Sequence, residues 1–113
     1  MKVKKIIPVT VSPKIPGISQ IKSPSAKSVR LKWGKISCAD GYQIQYSTTS
    51  NFKKGTYAFT VLSGGSKTTA SLGAKQRIKG GKTYYVRVRS FSNKFGARCY
   101  SAWSKTKSVR VRK

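Results

Sequence analysis

The side chains that perform most enzyme chemistry are nearly absent from this sequence. Histidine does not occur, and Asp40 is the only acidic residue against 25 lysines and arginines. A Ser-His-Asp triad, a carboxylate pair and the usual zinc or calcium sites all require residues that the chain lacks. We therefore expect no catalytic residue, no cofactor and no metal, and we predict that the protein is not an enzyme.

The residues that remain available for chemistry are cationic. The formal net charge of +24 attracts polyanions such as nucleic acid, anionic glycopolymers and acidic lipids. Salt bridges cannot stabilise the fold, because Asp40 supplies the only carboxylate side chain. Core packing must therefore overcome the self-repulsion, with screening by counterions. The alternative hypothesis is that the charges serve only to solvate the surface.

One stretch, from Gly80 to Ser92, arranges cationic and aromatic residues in a regular order. It reads Gly-Gly-Lys-Thr-Tyr-Tyr-Val-Arg-Val-Arg-Ser-Phe-Ser. A period of two residues predicts a β-strand with one buried face and one exposed face. The predicted buried face carries Tyr84, Val86, Val88 and Ser90, and the predicted exposed face carries Tyr85, Arg87 and Arg89.

Further alternating runs recur along the chain, and no helical pattern is evident. Seven strands spaced roughly ten residues apart predict an antiparallel sandwich. Residues 1–13 contain prolines that block regular pairing, so we predict a linker or N-terminal extension there and one domain over 14–113. No apolar run is long enough to cross a membrane. The predicted strands lie near residues 17–21, 28–33, 42–46, 56–62, 66–72, 83–92 and 99–113.

Three motifs in these strands resemble a known family. They are Trp33, the Gly-Tyr-x-Ile-x-Tyr run from Gly41 to Tyr46, and Ile-x-Gly-Gly-x-x-Tyr-x-Val-x-Val-x-Ser from Ile78 to Ser90. Over residues 14–113 the chain resembles a fibronectin type III domain. The resemblance implies an all-β fold, a seven-stranded antiparallel immunoglobulin-like sandwich. Two positions depart from the family pattern, since Gly80 stands where it has Pro and Ser90 where it has Ala.

Other segments resemble the Lys-rich modules of Gram-positive bacterial surface or secreted proteins. These are Tyr46 to Phe52, Gly81 to Arg89, and Trp103 to Val109. This resemblance implies an extracellular or cell-wall location, within a larger secreted protein whose other domains are partners of this one.

The family resemblance also implies structural roles. Trp33 is expected at the centre of the core, and Tyr84 is expected to be the tyrosine corner, whose hydroxyl bonds upstream backbone. In such a fold the loops holding Cys38 and Cys99 lie at the same end. A disulfide between these two residues is therefore one hypothesis, and a pair of unbonded thiols is the other.

The sheet that contains residues 83–92 is expected to present a possible anion- or ligand-binding face. Arginine forks can grip phosphate or sulfate in bidentate fashion, while amides and an aromatic ring can contact sugar. A merely solvated face is the alternative. The residues concerned are Gln43, Gln45, Tyr85, Arg87, Arg89 and Arg110.

The sequence thus favours a non-catalytic spacer or adhesion module of an extracellular or cell-wall protein, whose basic surface binds anionic polymers or glycans. Two alternatives stay open. One is a basic protein that binds nucleic acid nonspecifically, although it has neither a basic helix nor an RNA-type aromatic motif. The other is an accessory domain of a carbohydrate- or peptidoglycan-active enzyme.

Overall fold

The computed structural model describes residues 14–37, 39–93 and 98–113. In the central strands, alternating apolar residues are buried against the opposite sheet, as the period of two residues predicts. The described chain contains eight strands. They are β1 (Ile18–Lys22), β2 (Val29–Trp33), β3 (Gly41–Ser47), β4 (Tyr57–Ser63), β5 (Thr69–Leu72), β6 (Thr83–Ser92), β7 (Cys99–Tyr100) and β8 (Lys107–Arg110).

The strands form two antiparallel sheets. The smaller sheet has the order β1-β2-β5, and the larger has the order β4-β3-β6-β7, with β8 also paired to β6. A bulge interrupts β1 between Ile18 and Gln20. The predicted all-β immunoglobulin-like sandwich is confirmed.

The core lies between the two sheets and follows the alternation of the sequence. In β2, Val29, Leu31 and Trp33 are buried while the residues between them are exposed. They pack against inward residues of β3, β6 and the C-terminal segment. The side chains from these facing elements include Tyr42, Ile44, Tyr46, Tyr84, Val86, Val88 and Val111.

The last predicted strand is divided into β7 and β8, so the predicted count of seven strands is one too low. Between them, the N–H groups of Ser101 and Ser104 donate to the carbonyls of Ser90 and Val88, at 2.9 and 2.8 Å. This segment therefore advances three residues while β6 advances two. The segment is thus out of step with β6, and it forms no ladder pairs between β7 and β8.

The turn before β6 departs from the all-strand pattern. A single 3₁₀ turn spans Ala74–Gln76, which the sequence did not predict, and the side chain of Gln76 accepts the N–H of Gly73 at 2.7 Å. Gly81 then takes φ +78°, a conformation that glycine adopts without steric cost. Its N–H donates to the carbonyl of Val111 at 2.8 Å, which ties the start of β6 to the C-terminal segment.

Tyr84 and Tyr85 leave this turn in opposite directions. Tyr84 points into the core, and its hydroxyl accepts the backbone N–H of Lys79 at 3.0 Å. Tyr85 lies on the outer face and is partly exposed. This hydrogen bond joins Tyr84 to the turn that precedes β6.

Replacing Tyr84 with phenylalanine is expected to lower the free energy of unfolding by about 1–2 kcal/mol, since it leaves the Lys79 N–H without its acceptor. Tyr85→Phe is the matched control and should change that free energy by less than about 0.5 kcal/mol. Urea titrations followed by circular dichroism measure both. Equal effects of the two substitutions would contradict the anchoring role of Tyr84.

Two predictions lie outside the described residues. The linker or extension covers residues 1–13, and the hypothetical disulfide needs Cys38. Cys99, its other half, begins β7 on the exposed surface. Among the described residues, no helix is long and apolar enough to span a membrane.

Candidate functional site

The outer face of the larger sheet brings together most of the predicted binding residues. Antiparallel pairing sets Gln43 opposite Arg89 and Gln45 opposite Arg87. Arg87 donates from Nε to Oε1 of Gln45 at 2.6 Å, and Arg89 donates from Nε to Oε1 of Gln43 at 2.7 Å. Each pair joins β6 to the adjacent strand β3. The two hydrogen bonds therefore hold both guanidinium groups over β3.

Aromatic rings enclose these two guanidinium groups. Arg87 Cζ lies 4.1 Å from the ring centroid of Phe52 and 4.7 Å from that of Trp103. Arg89 Cζ lies 4.3 Å from the ring centroid of Trp103 and 3.7 Å from that of Tyr100. At such distances a cation is attracted electrostatically to the negative face of an aromatic ring. We call this alternating set, Phe52, Arg87, Trp103, Arg89 and Tyr100, the arginine stack.

The arginine stack covers the two glutamines, which the alternation alone places on an exposed face. Gln43 and Gln45 are only 9% and 4% exposed. Every residue of β3 is consequently buried, on both faces of the strand. The amides therefore orient the arginines, and they do not meet solvent directly.

Two local irregularities bring the aromatic residues into the arginine stack. Ser101 and Ser104 accept the N–H groups of Ser90 and Val88 through their hydroxyls, each at 3.0 Å, and Trp103 lies in the segment fixed between them. Phe52 has φ +52°, which is unfavourable for an aromatic residue. Its N–H donates to Thr49 at 3.2 Å, and its buried ring contacts Arg87.

Tyr85 and Arg110 share this face but lie apart from the arginine stack. Tyr85 is opposite Ser108, and Arg110 is opposite Thr83, towards the start of β6. Arg110 is exposed at the end of β8. The predicted set thus divides into four central residues that contact one another and two peripheral ones.

An exposed apolar surface adjoins the arginine stack along β4. The rings of Phe59 and Trp103 are stacked with centroids 6.2 Å apart, and Tyr57 meets Phe59 edge-on at 5.3 Å. Tyr57, Phe59 and Val61 are 39%, 45% and 47% exposed. We call these three residues the aromatic stripe. Their alternation on β4 was recognisable from sequence, but their position beside the arginines was not.

Burial changes the electrostatics of the two stacked arginines. Burial lowers the pKa of Arg87 from its usual value, and the positive charge of Arg89 lowers it further. Burial also lowers the pKa of Arg89, an effect that Tyr100 partly opposes. An anion bound against both groups would offset the desolvation and the mutual repulsion.

Asp40 carries the only acidic side chain of the sequence. Asp40 Oδ2 accepts the backbone N–H of Asn93 at 2.6 Å. Among the described residues, Arg87 and Arg89 bond glutamine amides and not this carboxylate. Within the described residues, no three His, Cys, Asp or Glu side chains cluster as metal ligands would.

Solved structures of fibronectin type III domains match this sandwich, so the chain has the fibronectin type III fold. The FN1–FN3 domains of chicken CNTN1 match with a TM-score of 0.71 and 23% identity over 88% of this chain and 31% of that chain. An Fn3-like protein from Clostridium thermocellum matches with a TM-score of 0.65 and 22% identity, over 90% of this chain and 96% of the other. At such identities the likeness concerns the fold alone.

A third similar structure belongs to an enzyme. The β-1,2-glucanase from Parabacteroides distasonis matches with a TM-score of 0.68 and 16% identity. The match covers 96% of this chain but only 14% of the glucanase chain. This chain thus spans about a third of the chicken chain and a smaller part of the glucanase. No protein-family model matches the sequence, and no curated protein does.

Proposed function

We propose that this domain is a non-catalytic binding module of a longer extracellular or cell-wall protein, and that it binds an anionic polymer or glycan through the outer face of its larger sheet. The observation that carries the proposal is the arginine stack. Two guanidinium groups are held side by side between three rings, each fixed by a glutamine. Groups held in place before binding lose little conformational entropy when a ligand arrives.

The geometry of the arginines suits an oxyanion. Each commits its Nε–H to a glutamine, and a guanidinium carries further donors on its Nη atoms. Those donors form a planar fork that matches phosphate, sulfate or carboxylate. The net charge of +24 supplies long-range attraction, while the two fixed forks supply the local contact.

The aromatic stripe supports a ligand that also has apolar surface. Tyr57 and Phe59 expose ring surface next to Trp103, and contiguous exposed apolar residues often mark ligand grooves. Sugar rings carry C–H faces that pack on aromatic rings beside charged groups. An acidic glycan therefore fits the combined surface better than an isolated small anion does.

An accessory role beside a catalytic domain is a second candidate, and one observation favours it. The Parabacteroides glucanase contains a region of this fold within a much longer chain. In such an arrangement the face of the larger sheet would hold substrate for a neighbouring catalytic domain. Finding a hydrolase domain in the same parent chain would support this candidate.

Exchanging both stacked arginines for lysine tests the main proposal without altering net charge. In the Arg87→Lys/Arg89→Lys variant the planar forks and the glutamine bonds are lost, so affinity for heparin should fall roughly tenfold or more at physiological salt. The control Arg77→Lys/Arg112→Lys changes two exposed arginines elsewhere and should bind as the wild type does. Isothermal titration calorimetry measures the dissociation constants.

A salt series with heparin, a teichoic-type polymer and duplex DNA separates site binding from general attraction. Affinity for DNA should fall with a log-log slope of about −0.9 for each phosphate contact. Equal affinity of both lysine variants for all three polymers would show that only net charge matters, and would overturn the proposed site. Preferential weakening of DNA binding in the Arg87→Lys/Arg89→Lys variant would favour the nucleic-acid alternative.

A further inference from the structure

A second cationic surface lies on the opposite side of the sandwich, on the outer face of the smaller sheet. The register of β1, β2 and β5 sets its residues in two rows across the strands. Together they line a shallow depression of about 340 Å³. One row is Gln20, Lys32 and Thr69, and the other is Lys22, Arg30 and Ser71.

The arrangement of the cations on this face is unfavourable by itself. Lys22 stands directly opposite Arg30 on the neighbouring strand, and like charges at paired positions destabilise a sheet. Lys32 adds a third cation two residues from Arg30, about 7 Å along the strand. No ion pair of these three side chains occurs among the described residues.

The counterion for this surface has to come from outside the chain. The sequence contains a single acidic residue, Asp40, and its carboxylate bonds the backbone of Asn93. Three cations on one sheet face therefore gain their electrostatic partner only from a bound anion. The hydroxyls of Thr69 and Ser71 and the amide of Gln20 add neutral donors on the same face.

We propose that this face is an anion-binding site for a flexible linear polymer of phosphodiester groups. The six residues that line the depression are all polar, so no ring is present on which bases or sugars could stack. Recognition then depends on the charged groups of the ligand alone. Lys22 and Arg30 lie on neighbouring strands, and Arg30 and Lys32 lie two residues apart on one strand, which spaces their backbone positions by about 5 to 7 Å. This spacing suits successive phosphates of a polymer whose phosphates are joined by short linkers.

This inference extends the proposed function to the opposite sheet but does not rest on it. The arginine stack and the small-sheet cations lie on different sheets and share no residue. A module with both sites could hold two polymer strands at once. Variants of either face therefore separate the two proposals.

The test compares two variants that each lose three positive charges. In Lys22→Gln/Arg30→Gln/Lys32→Gln the proposed site is neutralised, and in Lys53→Gln/Lys75→Gln/Lys79→Gln three exposed lysines elsewhere are removed. Binding of a short glycerol-phosphate oligomer is measured by calorimetry at physiological salt. We expect the first variant to bind at least about tenfold more weakly than the second. Equal loss of affinity in both variants would overturn the site.

Thermal unfolding provides a second readout. Without oligomer at low salt, the small-sheet variant should melt at a higher temperature than the control variant, because the facing Lys22 and Arg30 charges are gone. Added oligomer should raise the melting temperature of the wild type more than that of the small-sheet variant. The control variant Lys53→Gln/Lys75→Gln/Lys79→Gln should be stabilised by the oligomer almost as much as the wild type is. If instead the oligomer stabilises the wild type and the small-sheet variant equally, the proposal fails.

Discussion

Replacing Trp33 with alanine is expected to remove about 3–5 kcal/mol from the free energy of unfolding. The side chain is 2% exposed and packs between the sheets, with its ring centroid 5.2 Å from that of Tyr42. Typical domains are stable by only about 5–15 kcal/mol, and this one also bears the self-repulsion of a net charge of +24. The variant should therefore melt more than roughly 15 °C below the wild type.

Trp33→Phe is the informative control, because the indole Nε1 is buried without a hydrogen-bond partner among the described residues. Phenylalanine keeps an aromatic ring and removes the unsatisfied donor, so it should cost much less than alanine does. Thermal and urea unfolding at one fixed salt concentration measure both variants. A loss below about 1 kcal/mol for the alanine variant would show that the sandwich does not depend on this residue.

The strands and their buried faces were predictable because both depend on local sequence. A period of two residues assigns Val29, Leu31 and Trp33 to one side of β2 whatever the partner strand is. The same rule places Tyr84 inward and Tyr85 outward in β6. The pattern needs no knowledge of pairing, so the sandwich followed from it together with the family motifs.

The covering of the outer face was not predictable from the same rule. Alternation places Gln43 and Gln45 opposite the core, but it does not say what lies over them. Their burial depends on cross-strand pairing with Arg89 and Arg87, which is a long-range contact. The alternation therefore places the two glutamines on the outer side of the sheet, but it does not reveal that they are buried there.

The aromatic members of the arginine stack come from irregular segments. Phe52 reaches Arg87 because its backbone adopts positive φ in a turn. Trp103 reaches both arginines because the chain leaves the ladder between Ser101 and Ser104. Neither irregular conformation produces a periodic pattern in the sequence. Both are held by backbone hydrogen bonds, within a turn for Phe52 and to β6 for the segment of Trp103. Trp103 was named for its family resemblance alone.

Replacing Trp103 with alanine is expected to have the second-largest effect on stability. The residue does not belong to the core that the two sheets enclose, but lies on the outer face of the larger sheet. Its ring contacts Arg87 and Arg89 and stacks on Phe59. Each cation–π contact contributes about 0.5–2 kcal/mol, and the aromatic pair about 0.5–1.5 kcal/mol. We expect a loss of about 2–4 kcal/mol in the free energy of unfolding, since these contributions are not fully additive.

The same substitution should weaken ligand binding, because both guanidinium groups lose the ring that separates them. Tyr85→Ala is the matched control: it removes an aromatic residue from the same face that lies apart from the arginine stack. It should change the free energy of unfolding by less than about 1 kcal/mol.

A double-mutant cycle isolates the coupling between Trp103 and the arginines. Combining Trp103→Ala with Arg87→Lys should destabilise the domain less than the sum of the single substitutions, by about 0.5–2 kcal/mol. Lysine keeps the charge but lacks the planar group that lies over the indole, so this coupling reports the stacking itself. Strict additivity in urea titrations would mean that the indole stabilises the sheet only through apolar burial, and the arginines would then have to be held in place by Gln43 and Gln45 alone.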